Sequence, residues 1–157
     1  MSGQLFIGSA LNGVDAKNRV SVPSAFRDVI KARTGGSELF LGPGLREGSL
    51  VGYDALFSDK LQAAHDQRFG ASDGIDREDD GMSIFSSVER LTIDSAGRVV
   101  LSASMIGWSG IDGQALFLSA GDRFFVWNPQ TLLAQPNLDP RLANIARGHL
   151  AAKGVPA

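Results

Sequence analysis

Short runs of alternating or periodic apolar residues divide this chain into predicted strands and helices. Residues 19–22 alternate polar and apolar side chains, which is typical of a half-buried strand. Phe26, Val29 and Ile30 then follow at spacings of three and four, which places them on one side of a helix over residues 25–32. The pattern therefore predicts a strand followed directly by a short amphipathic helix.

A hairpin is predicted after this helix. Its strands cover residues 37–41 and the region around Leu50-Val51, on either side of the turn Gly42-Pro43-Gly44. Residues 54–69 have a helical pattern, and the acidic, glycine-punctuated residues 70–82 predict a linker. The first part of the chain is thus predicted to contain a strand, a tight turn, a second strand, a short helix and two more strands, with a further helix leading into the linker.

The same order of elements recurs later in the chain. Displacing the sequence by 79 positions places residues 14–20 on residues 93–99 without a gap. A slightly smaller displacement places the Leu-Phe-Leu of residues 39–41 on that of residues 116–118. Such self-similarity indicates two copies of one unit. The predicted organisation is a first unit over residues 1–69, an acidic linker over 70–82, a second unit over 83–130, and a C-terminal helix and tail over 131–157.

Each copy has a tight turn between its first two strands. Asp15 and Asp94 begin the two turns, where a carboxylate can accept hydrogen bonds from nearby backbone N–H groups. Asn18 and Gly97 hold the same position in the two copies, and both residue types tolerate positive φ. These four residues are therefore predicted to shape the turns.

Lys17, Arg19 and Arg98 stand in or directly after these turns. An arginine can address guanine O6 and N7 with two hydrogen bonds, and a lysine adds charge next to phosphate, so we expect the three to bind DNA. The alternative is a solvated turn in which Arg19 pairs with Asp15. Arg98 opens a strand, residues 98–101, that is more apolar and is expected to be more buried.

Three further cations follow the first turn, and Arg27 is included among the candidate DNA-binding residues. Lys31 and Arg33 lie near it on or after the predicted helix and could widen a basic face. The alternative for all three is a solvated helix side.

Composition limits the classes of protein and site. The chain has 15 Lys and Arg against 17 Asp and Glu, a formal net charge of −2, which argues against a protein that coats nucleic acid non-specifically. The absence of cysteine excludes disulfides, thiolate metal sites and cysteine nucleophiles. His65 and His149 fall on separate predicted helices and are expected at the surface, so we expect no metal and no other cofactor.

One weak sequence motif could indicate an enzyme. Gly70-Ala71-Ser72-Asp73-Gly74 matches the hydrolase pattern G-x-S-x-G, which needs a strand before it and a helix after it. A helical pattern precedes it and the acidic linker follows, so we expect no enzyme. The start of the chain does not resemble a secretory signal and no segment reaches membrane-spanning length, which predicts a cytoplasmic protein without a membrane partner.

Aromatic residues recur at equivalent or apolar positions, and this placement favours core and subunit packing over base stacking. The residues assigned to packing on this ground are Phe6, Phe40, Phe85, Trp108, Phe117 and Trp127.

The two turn motifs together resemble the MraZ family. The matching residues are Asp15, Lys17, Arg19, Val20, Val22, Pro23, Phe26 and Arg27 in the first copy, and Asp94, Gly97, Arg98 and Val99 in the second. The resemblance covers most of the chain, from Leu5 to Trp127. The sequence departs from the family pattern at Asn18, where glycine is usual, and at Ala96 and Ser102, which replace the lysine and proline of the first copy.

This resemblance implies a mixed α+β, β-rich fold: a pseudo-two-fold barrel formed by two AbrB-like swapped-hairpin halves with short helices. It also implies a homo-oligomeric ring that binds double-stranded DNA in the nucleoid. The target would be repeated boxes upstream of the division and cell-wall gene cluster, including the protein's own promoter. The neighbouring ribosomal RNA methyltransferase would be a possible partner.

Two hypotheses about function remain open at this point. The first is a sequence-specific DNA-binding transcriptional regulator that presents Lys17, Arg19 and Arg98 from paired turns. The second is a ring-forming scaffold that binds a partner protein without reading DNA. This hypothesis is motivated by the excess of acidic over basic residues in the chain. Steep salt dependence that disappears when Lys17 and Arg19 are replaced would favour the regulator, and binding unaffected by salt and by Arg19 substitution would favour the scaffold.

Overall fold

Strand, turn, strand, helix and hairpin occur twice in succession in the computed structural model, which describes residues 4–156. The first set is β1 (Ser9–Gly13), β2 (Arg19–Ser21), α1 (Ser24–Thr34), β3 (Glu38–Pro43) and β4 (Leu50–Tyr53), followed by α2 (Ala55–Phe69) and α3 (Ile75–Ser86). The second set is β5 (Glu89–Thr92), β6 (Arg98–Val100), α4 (Ala103–Ser109), β7 (Gln114–Ser119) and β8 (Phe124–Trp127), followed by α5 (Pro129–Leu133) and α6 (Pro140–Ala152). The elements predicted over residues 19–69 are present.

The two sets of strands are interleaved in one antiparallel sheet. Its order is β1-β7-β8-β4-β3-β5, so that β1 of the first set pairs with β7 of the second and β5 of the second pairs with β3 of the first. Strands β2 and β6 form a separate two-stranded ribbon. The predicted mixed α+β class is confirmed. The closed barrel is not, because β1 and β5 are the two edges of an open sheet among the described strands.

Strand register corrects one detail of the sequence alignment. Phe40 pairs with Tyr53 in the first hairpin, and Leu116 pairs with Trp127 in the second. Tyr53 and Trp127 are the last residues of β4 and β8 and are therefore equivalent, so Phe40 corresponds to Leu116 rather than to Phe117. The alignment of the two Leu-Phe-Leu runs is therefore wrong by one residue, because in strands the alternation of faces decides equivalence and identical letters do not.

The main core lies between the sheet, the ribbon and the first helix of each set. Phe6, Phe26 and Phe124 are buried and meet edge to face or tilted, with ring centroids 5.0–5.5 Å apart. Phe85, aligned with Phe6 in the sequence, lies on α3 with 40% of its surface exposed. Phe85 and Trp108 thus stand outside the buried core, and their expected part in subunit packing stays a prediction.

The segment between the two sets of strands is more ordered than a linker. Residues 70–82 were predicted as an acidic linker, and α3 begins within them, at Ile75, and runs to Ser86. It packs against α2 through His65, which is buried and whose Nδ1 lies 2.7 Å from Asp80 Oδ2. The surface placement predicted for His65 is therefore wrong, because a carboxylate fifteen residues away meets its ring once the two helices fold together.

A second cluster of buried residues holds the C-terminal helices against the sheet. Leu150 and Ala146 of α6 pack with Leu11, Leu116 and other apolar side chains of β1 and β7. The helix begins after Asp139, whose Oδ1 accepts a hydrogen bond of 2.9 Å from the N–H of Arg141. The predicted C-terminal helix is confirmed. None of the helices in the described part of the chain is long and apolar enough to cross a membrane.

Candidate nucleic-acid interface

The two turns have the same hydrogen-bond pattern. Asp15 Oδ1 accepts from the backbone N–H groups of Lys17 at 2.9 Å and Arg19 at 2.8 Å. Asp94 Oδ1 accepts in the same way from Ala96 and Arg98, both at 2.9 Å. The Arg19 N–H bond is the main reason that the pKa of Asp15 lies below its usual value, and the Arg98 N–H acts likewise on the pKa of Asp94. Each turn is therefore built around an ionised aspartate.

The last residue of each turn has left-handed backbone geometry. Asn18 has φ 60° and Gly97 has φ 82°. Each donates its backbone N–H to the carbonyl of the aspartate that opens the turn, at 2.9 Å in both cases. Asparagine and glycine are the residues that adopt this geometry at least cost, which explains why both are found at this position.

The ribbon β2–β6 joins the two turns. Val20 pairs with Val99 at its centre, Arg19 pairs with Val100, and Ser21 pairs with Arg98. Because side chains alternate along strands, the two central valines face the core and the other four residues share the opposite face. Arg19 and Arg98 are thus diagonal neighbours on one outer face, although 79 positions separate them in the sequence.

Backbone bonds tie each turn to the strand of the other half. The Val22 N–H donates to the Gly97 carbonyl at 2.9 Å, and the Leu101 N–H donates to the Asn18 carbonyl at 2.8 Å. The ribbon therefore holds its two turns at opposite ends in a defined geometry.

Val100 belongs to the exposed face, a placement that was not predicted from the sequence. Residues 98–101 were expected to be more buried than residues 19–22, but the two segments have the same burial pattern and 55% of the surface of Val100 is exposed. Ser21, its counterpart in β2, is also exposed. Side chains alternate between the two faces of a strand, so the position of Val100 two residues after Arg98 could have indicated exposure. The apolar character of residues 98–101 concealed this signal.

Both arginines of the ribbon form ion pairs with the aspartates of their own turns. Arg19 Nε lies 2.7 Å from Asp15 Oδ2, and Arg98 Nε lies 3.3 Å from Asp94 Oδ2. About a third of each arginine side chain is exposed, at 35% and 37%. Within residues 4–156 the terminal guanidinium nitrogens of both arginines make no hydrogen bond to protein, so they remain available to an outside acceptor.

The other predicted cations are distributed unequally. Lys17 is exposed at the tip of the first turn, and Lys31 is exposed on α1. Arg27 is half-buried and donates its Nε–H to the Val22 carbonyl at 3.1 Å. Arg33 does not belong to a basic face, because it is nearly buried in an ion pair with Asp54 at the start of α2. Arg33 therefore neither widens a basic face nor lies on a solvated helix side, the two alternatives that the sequence left open.

Candidate metal ligands do not cluster in the described residues. No group of three or more histidine, aspartate or glutamate side chains within residues 4–156 is arranged to hold a metal ion.

The motif around Ser72 lies between the end of α2 and the start of α3, so the strand that a hydrolase elbow requires does not precede it.

These features define a mixed α+β protein whose two interleaved halves build one ribbon with an arginine at each end. The chain belongs to the MraZ family. It is 33% identical to the transcriptional regulator MraZ of Rhodospirillum rubrum over 136 residues, 87% of each chain. It is 32% identical to that of Rickettsia africae, over 91% of this chain and 94% of the relative, and 33% identical to that of Rickettsia canadensis, over 88% and 91%. No protein-family model matches the chain.

Proposed function

We propose that this protein is a sequence-specific DNA-binding transcriptional regulator that reads DNA with the outer face of the ribbon β2–β6. The observation that carries the proposal is the placement of Arg19 and Arg98 on that face with their terminal nitrogens unbonded by protein in the described chain. The major groove of B-DNA admits a two-stranded ribbon, and arginine is well suited to bidentate contact with guanine.

The ion pairs with aspartate support such a role by orienting the arginines. Asp15 and Asp94 each engage Nε of their arginine, and the two terminal nitrogens of each guanidinium make no hydrogen bond to protein within residues 4–156. A side chain that is already oriented loses less conformational entropy when it binds. Removal of Asp15 should therefore weaken recognition even though a negative charge is removed from the interface.

The remaining residues of the face have roles that follow from their chemistry. Lys17 projects from the first turn and is assigned to phosphate. Ser21 can donate to or accept from a base edge, and Val100 offers an apolar contact to a thymine methyl group. Since these two stand at equivalent positions, the two halves of the ribbon should prefer different bases.

One ribbon offers few cations, which favours binding by several subunits at once. The chain as a whole carries a formal charge of −2, so affinity cannot come from a general positive field. A homo-oligomeric ring would let linked ribbons engage repeated boxes, where tethering raises the effective concentration of each further contact. The target we propose is the set of boxes upstream of the division and cell-wall gene cluster, including the protein's own promoter, with the protein acting in the cytoplasm at the nucleoid.

A ring-forming scaffold that binds a partner protein is the second candidate. Exposed apolar residues on α3, Ile75 and Met82, are the observation that favours it. The neighbouring ribosomal RNA methyltransferase is the partner proposed for such a surface.

The test is a fluorescence-anisotropy titration with DNA from upstream of the protein's own gene and with a scrambled duplex, over a series of salt concentrations. Arg19→Ala should reduce discrimination by about 1–3 kcal/mol for each base that the arginine reads in the wild-type complex. Arg147→Ala, an exposed arginine on α6, is the matched control and should bind like wild type. Equal and weak binding to both duplexes, indifferent to Arg19 and to salt, would refute the regulator and favour the scaffold.

A further inference from the structure

The two turns of the ribbon differ in their own cations. The first contains Lys17 in addition to Arg19, whereas the second has Ala96 at the position of the lysine and retains only Arg98. All other features of the two turns, the aspartate, its two N–H bonds and the left-handed last residue, are shared. The second turn taken alone therefore lacks one positive charge.

Arg27 lies against this second turn although it belongs to α1 of the first half. Its Nε–H is anchored on the Val22 carbonyl, and the Val22 N–H donates to Gly97 of the second turn. A Cβ built on Gly97 would lie 2.7 Å from Arg27 Cζ and 2.8 Å from Nη1, closer than side-chain atoms approach one another. The guanidinium thus rests directly on the backbone of the second turn, in the space that a Cβ at position 97 would occupy.

The equivalent position at the first turn is apolar. Displacing Arg27 by the same 79 positions gives Ile106 of α4, which lines an open groove beside the first turn together with Val14 and Asn18. At the first turn, the turn itself supplies Lys17 and the helix of the other half, α4, supplies an isoleucine. At the second turn, the turn supplies an alanine and the helix of the other half, α1, supplies Arg27. Together with Arg19 and Arg98, each turn is therefore accompanied by two cations.

We propose that Arg27 supplies the second turn with the phosphate contact that Lys17 makes from the first; this inference rests on the DNA-binding function proposed above. No carboxylate within residues 4–156 forms an ion pair with Arg27. Its Nε is held by a carbonyl, and both terminal nitrogens remain for an acceptor outside the chain. When a ribbon enters a groove of DNA, the negatively charged acceptor next to it is the phosphate of the DNA backbone.

The proposal is tested by exchanging the source of the cation. In the full-length protein, Arg27→Ala should weaken binding to operator and scrambled DNA alike, by roughly five- to tenfold for each engaged phosphate at 0.1 M salt, and should reduce the slope of log K against log salt by about 1 for each such phosphate. Ala96→Lys, introduced into the Arg27→Ala variant, places a lysine where the first turn has one and should restore both affinity and slope.

Two controls separate the possible results. Arg147→Ala removes a cation from α6 and should leave the slope unchanged. Ala96→Lys alone, with Arg27 in place, should steepen the slope, and this variant does not depend on the folding of the Arg27 variant.

The proposal is overturned if Arg27→Ala binds with wild-type affinity and slope while Arg19→Ala loses discrimination, a result that leaves the DNA-binding function standing. It is also overturned if Arg27→Ala loses discrimination and Ala96→Lys restores nothing, because Arg27 would then only support the turn. If neither Arg19→Ala nor Arg27→Ala changes binding, both the inference and the proposed function fail.

Discussion

The ion pair between Arg33 and Asp54 gives the sharpest prediction about the stability of this fold. Asp54 is fully buried, and 10% of the Arg33 side chain is exposed. Arg33 bonds both carboxylate oxygens, and its Nη1 also donates to the Gln4 carbonyl at 3.3 Å. Asp54 Oδ1 in turn accepts the N–H of Phe57 at 3.1 Å and so caps α2. One pair therefore joins α1, the N-terminal segment and α2.

Arg33→Ala should be strongly destabilising because it leaves the Asp54 carboxylate buried without its counter-charge. Breaking a buried ion pair by removing one partner costs about 3–5 kcal/mol. For a chain of this size, each kcal/mol shifts Tm by roughly 2–4 °C, so Tm should fall by about 6–20 °C. The single helix-cap bond that remains on Asp54 is too weak to offset this destabilisation.

The assay is urea denaturation followed by tryptophan fluorescence and circular dichroism, with thermal melts in parallel. Lys31→Ala is the matched control, since Lys31 is an exposed cation on the same helix and its removal should change the free energy of unfolding by no more than about 0.5 kcal/mol. The double variant Arg33→Met with Asp54→Asn removes both charges and keeps a capping side chain, so it should recover most of the stability that Arg33→Ala forfeits.

Equal stability of the Arg33→Ala and Lys31→Ala variants would contradict this reasoning. So would a variant that unfolds like wild type but has reduced DNA affinity, because Arg33 would then act on the surface by binding phosphate. Failure of the double variant to recover stability would indicate that the pair contributes through its geometry and not through the compensation of buried charge.

Three further predictions concern the second turn and the C-terminal helix. Gly97→Ala should cost about 1–3 kcal/mol in equilibrium unfolding, since φ at this position is 82°, a backbone conformation that residues with a Cβ adopt only under strain. Leu150→Ala should cost about 2–5 kcal/mol in the same assay, because Leu150 is completely buried between α6 and the sheet. Hydrogen bonds from Arg141 lower the pKa of Asp139 to about 2 from an ordinary 3.8, so its contribution is fully present above pH 4 and is lost as pH falls through about 2. Asp139→Asn should be less stable than wild type at pH 6, and the difference should shrink from about pH 4 downward and vanish only below about pH 2. A difference that does not change with pH would contradict the assignment.

The internal structure of the two turns could be predicted from residue types alone. Asp15 and Asp94 bond N–H groups two and four residues away, and Asn18 and Gly97 adopt the backbone geometry that their chemistry favours. Such interactions span a few residues, so their partners stand next to one another in the sequence. The strands, the first helix and the hairpins were predictable for the same reason, because their periodicity is local.

The pairing between the halves was decided only by folding. Residue types do not show that Arg19 and Arg98 share a face, that Arg27 rests on Gly97, or that Arg33 is neutralised by Asp54 and is removed from the surface. Each of these pairs joins residues 21 to 79 positions apart. At that separation a charged side chain has many possible partners, and which one it meets depends on the packing of the whole core. The turns are thus local structures, and the interface that they form together exists because β2 and β6 pair across the two halves.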